Sequence, residues 1–533
     1  MKCFKHYVAK AGLAMAIGTS ALMYSCDDHR VAPTEQTLPD RIFFALSDNN
    51  QLHEINVRNT ASPLRSFAIT GLESGDVLSG IDFRPATGQL YAISAQSNLY
   101  QVNIKSGDQQ GKATRIGTAP IATTLSGTHI GFDFNPTVDR IRVVTNTAQN
   151  LRLHPETGAV VPGDAPLNGP ASPQVGAVAY TNSRAGVTAA PAGAGTTLYD
   201  IDATSDMLYI QNPPNPGALV AVGALGLDIQ EVGGFDISPD VNAADVYPIA
   251  SVKFENKWEL DLVDLSSGRL QKLGNLPAGV NIIGIAIPSL PVAYSLDVSN
   301  SIRIFDPASG TAYGTKAVSG LPAGVMLHGI DIRPANGRLH ALGSDSKIYG
   351  IDLGSGAAAE LASLKLADNT PVTISGATFG VDFNPAADRL RVVSNTGQNL
   401  RINVTDGVTT VDGPLKIGSM TGATPFATAV AYTNSYPGVV AANTTLFDID
   451  SQSNTLYKQS PPNDGILIEP RTLGADADAN IGFDIGNVSG IGYGIFTVGG
   501  TTSFYSVDLA TGAMQVKYPF SAPSRGLALG FGL

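Results

Sequence analysis

The sequence predicts an all-β fold of two tandem β-propeller-like domains, about five blades each, and three observations predict it. First, a long segment is repeated: GFDFNPTVDRIRVVTNTAQNLRL, from Gly131 to Leu153, returns as GVDFNPAADRLRVVSNTGQNLRI, from Gly380 to Ile402, at an offset of 249. Second, each copy carries a shorter unit, a G-[FIV]-D-[FI] strand followed by turns and alternating strands. In the first copy these units begin near Ile42, Gly80, Gly131, Val175 and Gly233. A spacing of about 49 residues matches blades built from four-stranded sheets. Third, 58 glycines and 33 prolines in 533 residues favour turns, and helical periodicity is nowhere sustained.

The elements follow in order. GIDFRPATGQLYAI from Gly80 matches GIDIRPANGRLHAL from Gly329, and TTLYDIDATSDMLYIQNPPN from Thr196 matches TTLFDIDSQSNTLYKQSPPN from Thr444. Asn135-Pro136 and Arg84-Pro85 place proline at the second position of a turn, and Arg140-Ile141-Arg142-Val143-Val144 alternates as a half-buried strand does. Each copy opens with a partial unit (Ile42 to Val57; Val292 to Asp306) and closes with an orphan apolar strand (Asn281 to Ile287; Arg525 to Gly530). An exposed apolar edge invites aggregation. The last strand of each copy is therefore expected to complete the first sheet of that copy. This gives domains at 41–289 and 290–533, with a single ten-bladed ring or two β-sandwiches as alternatives.

The N-terminus reads as an address. Lys2, Lys5 and Lys10 precede an uncharged stretch from Ala11 to Met23, too short to span a bilayer and suited to a secretory signal. It ends in Ser25-Cys26-Asp27-Asp28, which resembles a bacterial lipoprotein signal with Cys26 as the lipidated residue. Residues 1–25 are then the signal peptide and 26–40 a polar tether. The implied location is extracytoplasmic, lipid-anchored to the bacterial outer membrane or cell surface.

Composition excludes several function classes. The formal charge is −12 with no basic stripe, so nucleic acid is not an expected partner. Cys3 and Cys26 are the only cysteines, which leaves no disulfide framework and no cysteine-based zinc site. Histidines are not shared between copies: His53, His129, His154, His328 and His340 face Arg303, Thr378, Asn403, Ser79 and Tyr91. Nucleophile-elbow, HExxH, CxxC and P-loop signatures are missing, and no cofactor is called for.

Two polar clusters remain. Asp200 and Asp202, with Asp448 and Asp450 in the second copy, have the D-x-D spacing that supplies two oxygen ligands to a hard cation. Ser205 and Gln211 depart from a calcium loop, so the preferred reading is a hairpin with acids on its polar face and no metal. The second cluster is Arg140, Arg142, Asn146 and Asn150, repeated as Arg389, Arg391, Asn395 and Asn399. Two arginines on one strand face could grip a carboxylate, sulfate or sugar acid. In the competing reading the arginines are already saturated by Asp133 and Asp139 (Asp382 and Asp388), and that reading is preferred.

The Gly131 and Gly380 motifs, with the hairpin and Pro-Pro turn that follow each, resemble a bacterial family catalogued as domain of unknown function 4394. The resemblance covers both copies, from about Ile42 to Leu533. It implies extracytoplasmic bacterial proteins of repetitive β-rich fold, and brings no activity, substrate or site residue. The expected function is a lipid-anchored cell-envelope protein with a binding or scaffolding role. Its partners would be the membrane, through the lipid only, and a glycan, an anionic ligand or an envelope protein. The alternative is an extracytoplasmic glycan or polymer hydrolase or lyase using carboxylates in a propeller channel.

Overall fold

Glycine-rich turns and short apolar runs give strands throughout, broken by short 3-10 turns at Ala441–Asn443 and Pro462–Asp464. The computed structural model describes residues 38–169, 172–189, 195–240, 245–418 and 424–533. The expected signal peptide, Cys26 and the expected tether as far as Thr37 lie outside the described residues. Of the last residues of the expected tether, Leu38 is buried in one cluster with Phe43, and the exposed Asp40 pairs with Arg58.

Among the described residues the strands form ten sheets, five from each copy and antiparallel but for one added strand, and none of these sheets mixes strands of the two copies. In the first copy one sheet runs Leu78–Phe83, Leu90–Ser94, Leu99–Val102, Ala113–Ile116, and the next Ile130–Asn135, Arg140–Thr145, Asn150–Leu153, Val160–Val161. Two more begin with Val175–Tyr180 and Glu231–Ile237. The remaining sheet is completed from the far end of the copy: Ile282–Ala286 pairs antiparallel with Ile42–Ser47, Ala45 opposite Ile285. The second copy does the same, Ser524–Leu529 pairing with Ala293–Asp297. Both orphan strands therefore complete the first sheet of their own copy.

One sheet departs from four strands. Lys416–Ile417 adds in parallel to Ile466–Thr472, because the chain after Asp412 runs along that edge and Lys416 and Gly418 donate to the carbonyls of Gly465 and Leu467. In the first copy the matching segment makes only an isolated bridge, Asn168 to Ala218.

Burial grades across each sheet. Val175–Tyr180 is wholly buried, whereas Leu219–Ala224, fourth in the same sheet, is largely exposed. A strand covered on both faces reads as a continuous apolar run, and an edge strand does not. The first strands of neighbouring sheets pack on one another: Leu78–Phe83 on Ile130–Asn135, that strand on Val175–Tyr180, and that on Glu231–Ile237. Glu231–Ile237 packs on Ile282–Ala286, which packs on Leu78–Phe83, so the series returns to its start. The approach is close enough to demand glycine. A Cβ on Gly234 would lie 2.5 Å from the Ile285 nitrogen, and one on Gly131 3.0 Å from that of Val178.

The aspartate of the recurring motif ties three of these five strands, Leu78–Phe83, Ile130–Asn135 and Glu231–Ile237, to the next. Asp82 accepts from the Phe134 N–H at 2.8 Å, Asp133 from Tyr180 at 3.0 Å, and Asp236 from Ile287 at 2.6 Å. Asp331, Asp382 and Asp484 repeat the pattern on Phe383, Tyr432 and Leu529. Carboxyl oxygens at these buried positions satisfy backbone donors that no sheet ladder reaches.

Candidate functional site

The repeated arginines part company in space. Arg142 is 1% exposed. Its guanidinium donates to Asn150 Oδ1 at 2.7 Å, Asp164 Oδ1 at 3.2 Å and Asn215 Oδ1 at 2.8 Å, with Tyr180 Oη at 3.4 Å. Arg391 repeats this with Asn399, Asp412, Asn463 and Tyr432. Arg152 and Arg401, opposite them across the ladder, share the same carboxylates, Asp164 and Asp412. Asp133 and Asp139 are thus not the partners that spacing suggested. Asp133 holds a backbone amide of the next sheet, and Asp139 holds Arg84. The sequence carried a signal for the true partners, since Asp164 and Asn215 recur as Asp412 and Asn463, the asparagines directly after the Pro-Pro pairs.

Arg140 points elsewhere, to Asp352 of the second copy at 3.0 Å, while Arg389 donates to the Asp388 carbonyl at 2.9 Å. Asn146 and Asn395 cap turns, their Oδ1 atoms accepting from Thr128 and Ala377. Asn150 and Asn399 also donate to the Pro214 and Pro462 carbonyls. These eight residues therefore do not share one concave surface.

The D-x-D acids divide likewise. Asp202 accepts from the Thr204, Ser205 and Gln174 amides, and Asp450 from Gln452, Ser453 and Phe426. Asp200 and Asp448 are fully buried with no hydrogen-bond partner on either oxygen. Burial pushes both carboxyls up, Asp448 to about 8, against the pull of Arg142 and Arg391 respectively. Among the described residues one group of three acids does converge, with carboxyl oxygens of Asp82, Asp133 and Asp236 within 4.8 Å of one another. Burial raises all three, and mutual repulsion adds to it at Asp82 and Asp133.

The two copies meet through a charged face. Arg84, wholly buried, holds Asp139 through Nε at 2.9 Å and donates from Nη1 to the Gly337 carbonyl at 2.8 Å. Glu156 lies between Arg84 at 3.4 Å and Arg338 of the second copy at 3.0 Å. Burial pushes Glu156 up to about 7, although both arginines oppose the shift.

Beside this face is a cavity of about 220 Å³ shared by both copies. Its apolar wall includes Phe83, Leu90, Val102, Ile104 and Phe531. Lys105, Lys112, Gln101, Ser289, Tyr436 and Asn487 supply polar groups. Residues of the second copy enter it from positions that have no sequence proximity to the first, so no local motif could have revealed it.

The fold and this cavity define an all-β protein of two tandem repeats, five sheets each, with a small chamber between the repeats. The chain belongs to the family described as domain of unknown function (DUF4394), whose model matches residues 51–286 and 301–528, one copy in each repeat. A comparison with curated proteins finds no match.

Proposed function

We propose that this is a lipid-anchored, extracytoplasmic binding protein in which two five-bladed propellers hold a small molecule between them. Propeller geometry is supported by the closed series of first strands and by the glycines at their closest approach. Each ring is then sealed by its own last strand. Lipid anchoring rests on Cys26 after the apolar stretch of the signal.

The observation that carries the binding reading is the chamber itself. It is concave, mostly apolar and provided with a few convergent polar groups, the usual make-up of a ligand site. Among the described residues its lining offers no carboxylate and no histidine for proton transfer, which favours binding over hydrolysis there. Arg142 and Arg391 act in this reading as internal braces.

Two experiments test it. Cys26→Ala should lose the acyl label and release the protein from membranes; an unlabelled, freely soluble wild type sinks the anchor. A fragment screen by ligand-observed NMR on the mature chain should yield hits that Thr114→Trp, which fills the chamber, abolishes. Hits that bind this variant as well as wild type place the ligand elsewhere.

A further inference from the structure

We propose that the chamber between the repeats takes a small hydroxylated carboxylic acid with a flat apolar body, its carboxylate on Lys112 and its hydroxyl donating to Gln101 or Asn487. This rests on the reading of the chamber as a binding site.

The charge argument comes from two lysines. Lys105 is already engaged: its ammonium donates to Asn434 Oδ1 at 2.9 Å and to the Asn487 carbonyl, and lies 5.6 Å from the centre of the Tyr436 ring. The Lys112 ammonium has no hydrogen-bond or ion-pair partner among the described residues. It reaches across to the second repeat, where a Cβ on Gly438 would come within 2.7 Å of its Nζ. Two ammonium groups stand at one apolar chamber, and none of its described lining residues is a carboxylate. An anion with an apolar body fits the free Lys112 ammonium and those walls.

The second, independent observation is a set of orphaned oxygens, two amide acceptors and one hydroxyl that can donate or accept. Gln101 Oε1, Asn487 Oδ1 and Ser289 Oγ are buried without a hydrogen-bond partner, and all three residues line the chamber. Gln101 and Asn487 are 3% and 7% exposed. Their nitrogens are spent inside the protein: Gln101 Nε2 donates to Gln89 Oε1 at 3.1 Å and Tyr91 Oη at 2.9 Å, and Asn487 Nδ2 to the Phe531 carbonyl at 3.3 Å. What remains free is oxygen, and buried oxygen acceptors call for a donor. A hydroxyl supplies one. The volume of about 220 Å³ is below the range of about 300–1,000 Å³ typical of sites for drug-sized ligands. A single ring with a short acid side chain suits it.

Isothermal titration calorimetry on the mature chain tests this with three probes: 3-(4-hydroxyphenyl)propanoate, its neutral primary amide, and 3-phenylpropanoate. The hydroxy acid should bind, and the amide and the phenyl acid should each bind about tenfold or more weaker, as loss of a charged or buried hydrogen bond implies. Lys112→Gln should cost the hydroxy acid a similar factor while leaving the amide unchanged, with an unaltered melting curve showing that the variant is folded. An amide that binds as well as the acid, an acid affinity unmoved by Lys112→Gln, or failure of the acid to bind overturns the ligand class. The binding reading itself falls separately, if screen hits persist in Thr114→Trp.

Discussion

Arg84 donates to the carbonyl oxygen of Gly337, 253 residues away, at 2.8 Å, and this contact breaks the equivalence of the two repeats. Its counterpart Arg333 makes the matching pair with Asp388 but has no such reach into the first repeat. The Arg84 side chain is wholly buried, while 19% of the Arg333 side chain remains exposed. One sequence pattern thus serves as an interface post in one copy and as a surface pair in the other.

Replacement by lysine should separate these roles. Arg84→Lys keeps the charge but loses the fork that holds Asp139 and Gly337 together, leaving a buried carboxylate poorly paired, at a cost of about 3–5 kcal/mol. Arg333→Lys should cost about 1 kcal/mol or less. Urea denaturation of the two variants measures the difference; equal losses contradict the asymmetry.

Stability should fall as pH rises. Burial pushes Asp236 and Asp484 up to about 7 and Asp448 up to about 8, and Glu156 also to about 7. In the unfolded chain these carboxyls titrate near 4. Between the two values the folded state binds more protons, so their contribution is full below about pH 4 and lost as pH climbs through 7 to 8. The melting temperature should be higher at pH 5 than at pH 8. Asp448→Asn gives up no hydrogen bond and should shrink that difference by stabilising the protein at pH 8. A melting temperature that rises from pH 5 to pH 8 refutes this account.

Gly234→Ala should prevent proper seating of the last strand of the first repeat, because the new methyl meets the Ile285 nitrogen at 2.5 Å and backbone cannot step aside. Overpacking of this kind costs about 1–3 kcal/mol. Loosening Ile282–Ala286 uncovers the edge of Ile42–Ser47, so aggregation on mild heating is the expected readout. Light scattering indistinguishable from wild type argues against it.

Arg142→Lys should lower the melting temperature and leave the affinity for 3-(4-hydroxyphenyl)propanoate unchanged. A lysine cannot replace the three contacts to Asn150, Asp164 and Asn215, a loss of about 1–3 kcal/mol. Altered affinity in a stably folded variant returns this arginine to the binding machinery.

Residues 38–289 and 290–533, produced together as separate chains, should co-purify. No described sheet mixes strands of the two repeats, yet Arg84 donates to the Gly337 carbonyl and Glu156 pairs with Arg338 across the boundary. Size-exclusion chromatography after capture of one tagged half reads the result, and two soluble halves that ignore each other would refute it.

Sequence alone determined the strands, the tandem copies and the destination of the orphan strands. Those properties are local or periodic: alternation fixes a strand face, glycine and proline fix turns, and an apolar run with no neighbour in its own unit must find an edge. It also marked Arg142 as special. The recurrence of Asp164 and Asn215 as Asp412 and Asn463 marked them as shared, but not as partners of an arginine 22 and 73 residues away, because the loops that bring them in carry no period. The chamber was beyond its reach for a deeper reason. Two copies of one pattern are equivalent in sequence, and nothing local says which ends meet or in what rotation. Packing chose one arrangement, and in doing so it placed Lys112 and Gln101 of one repeat opposite Tyr436 and Asn487 of the other.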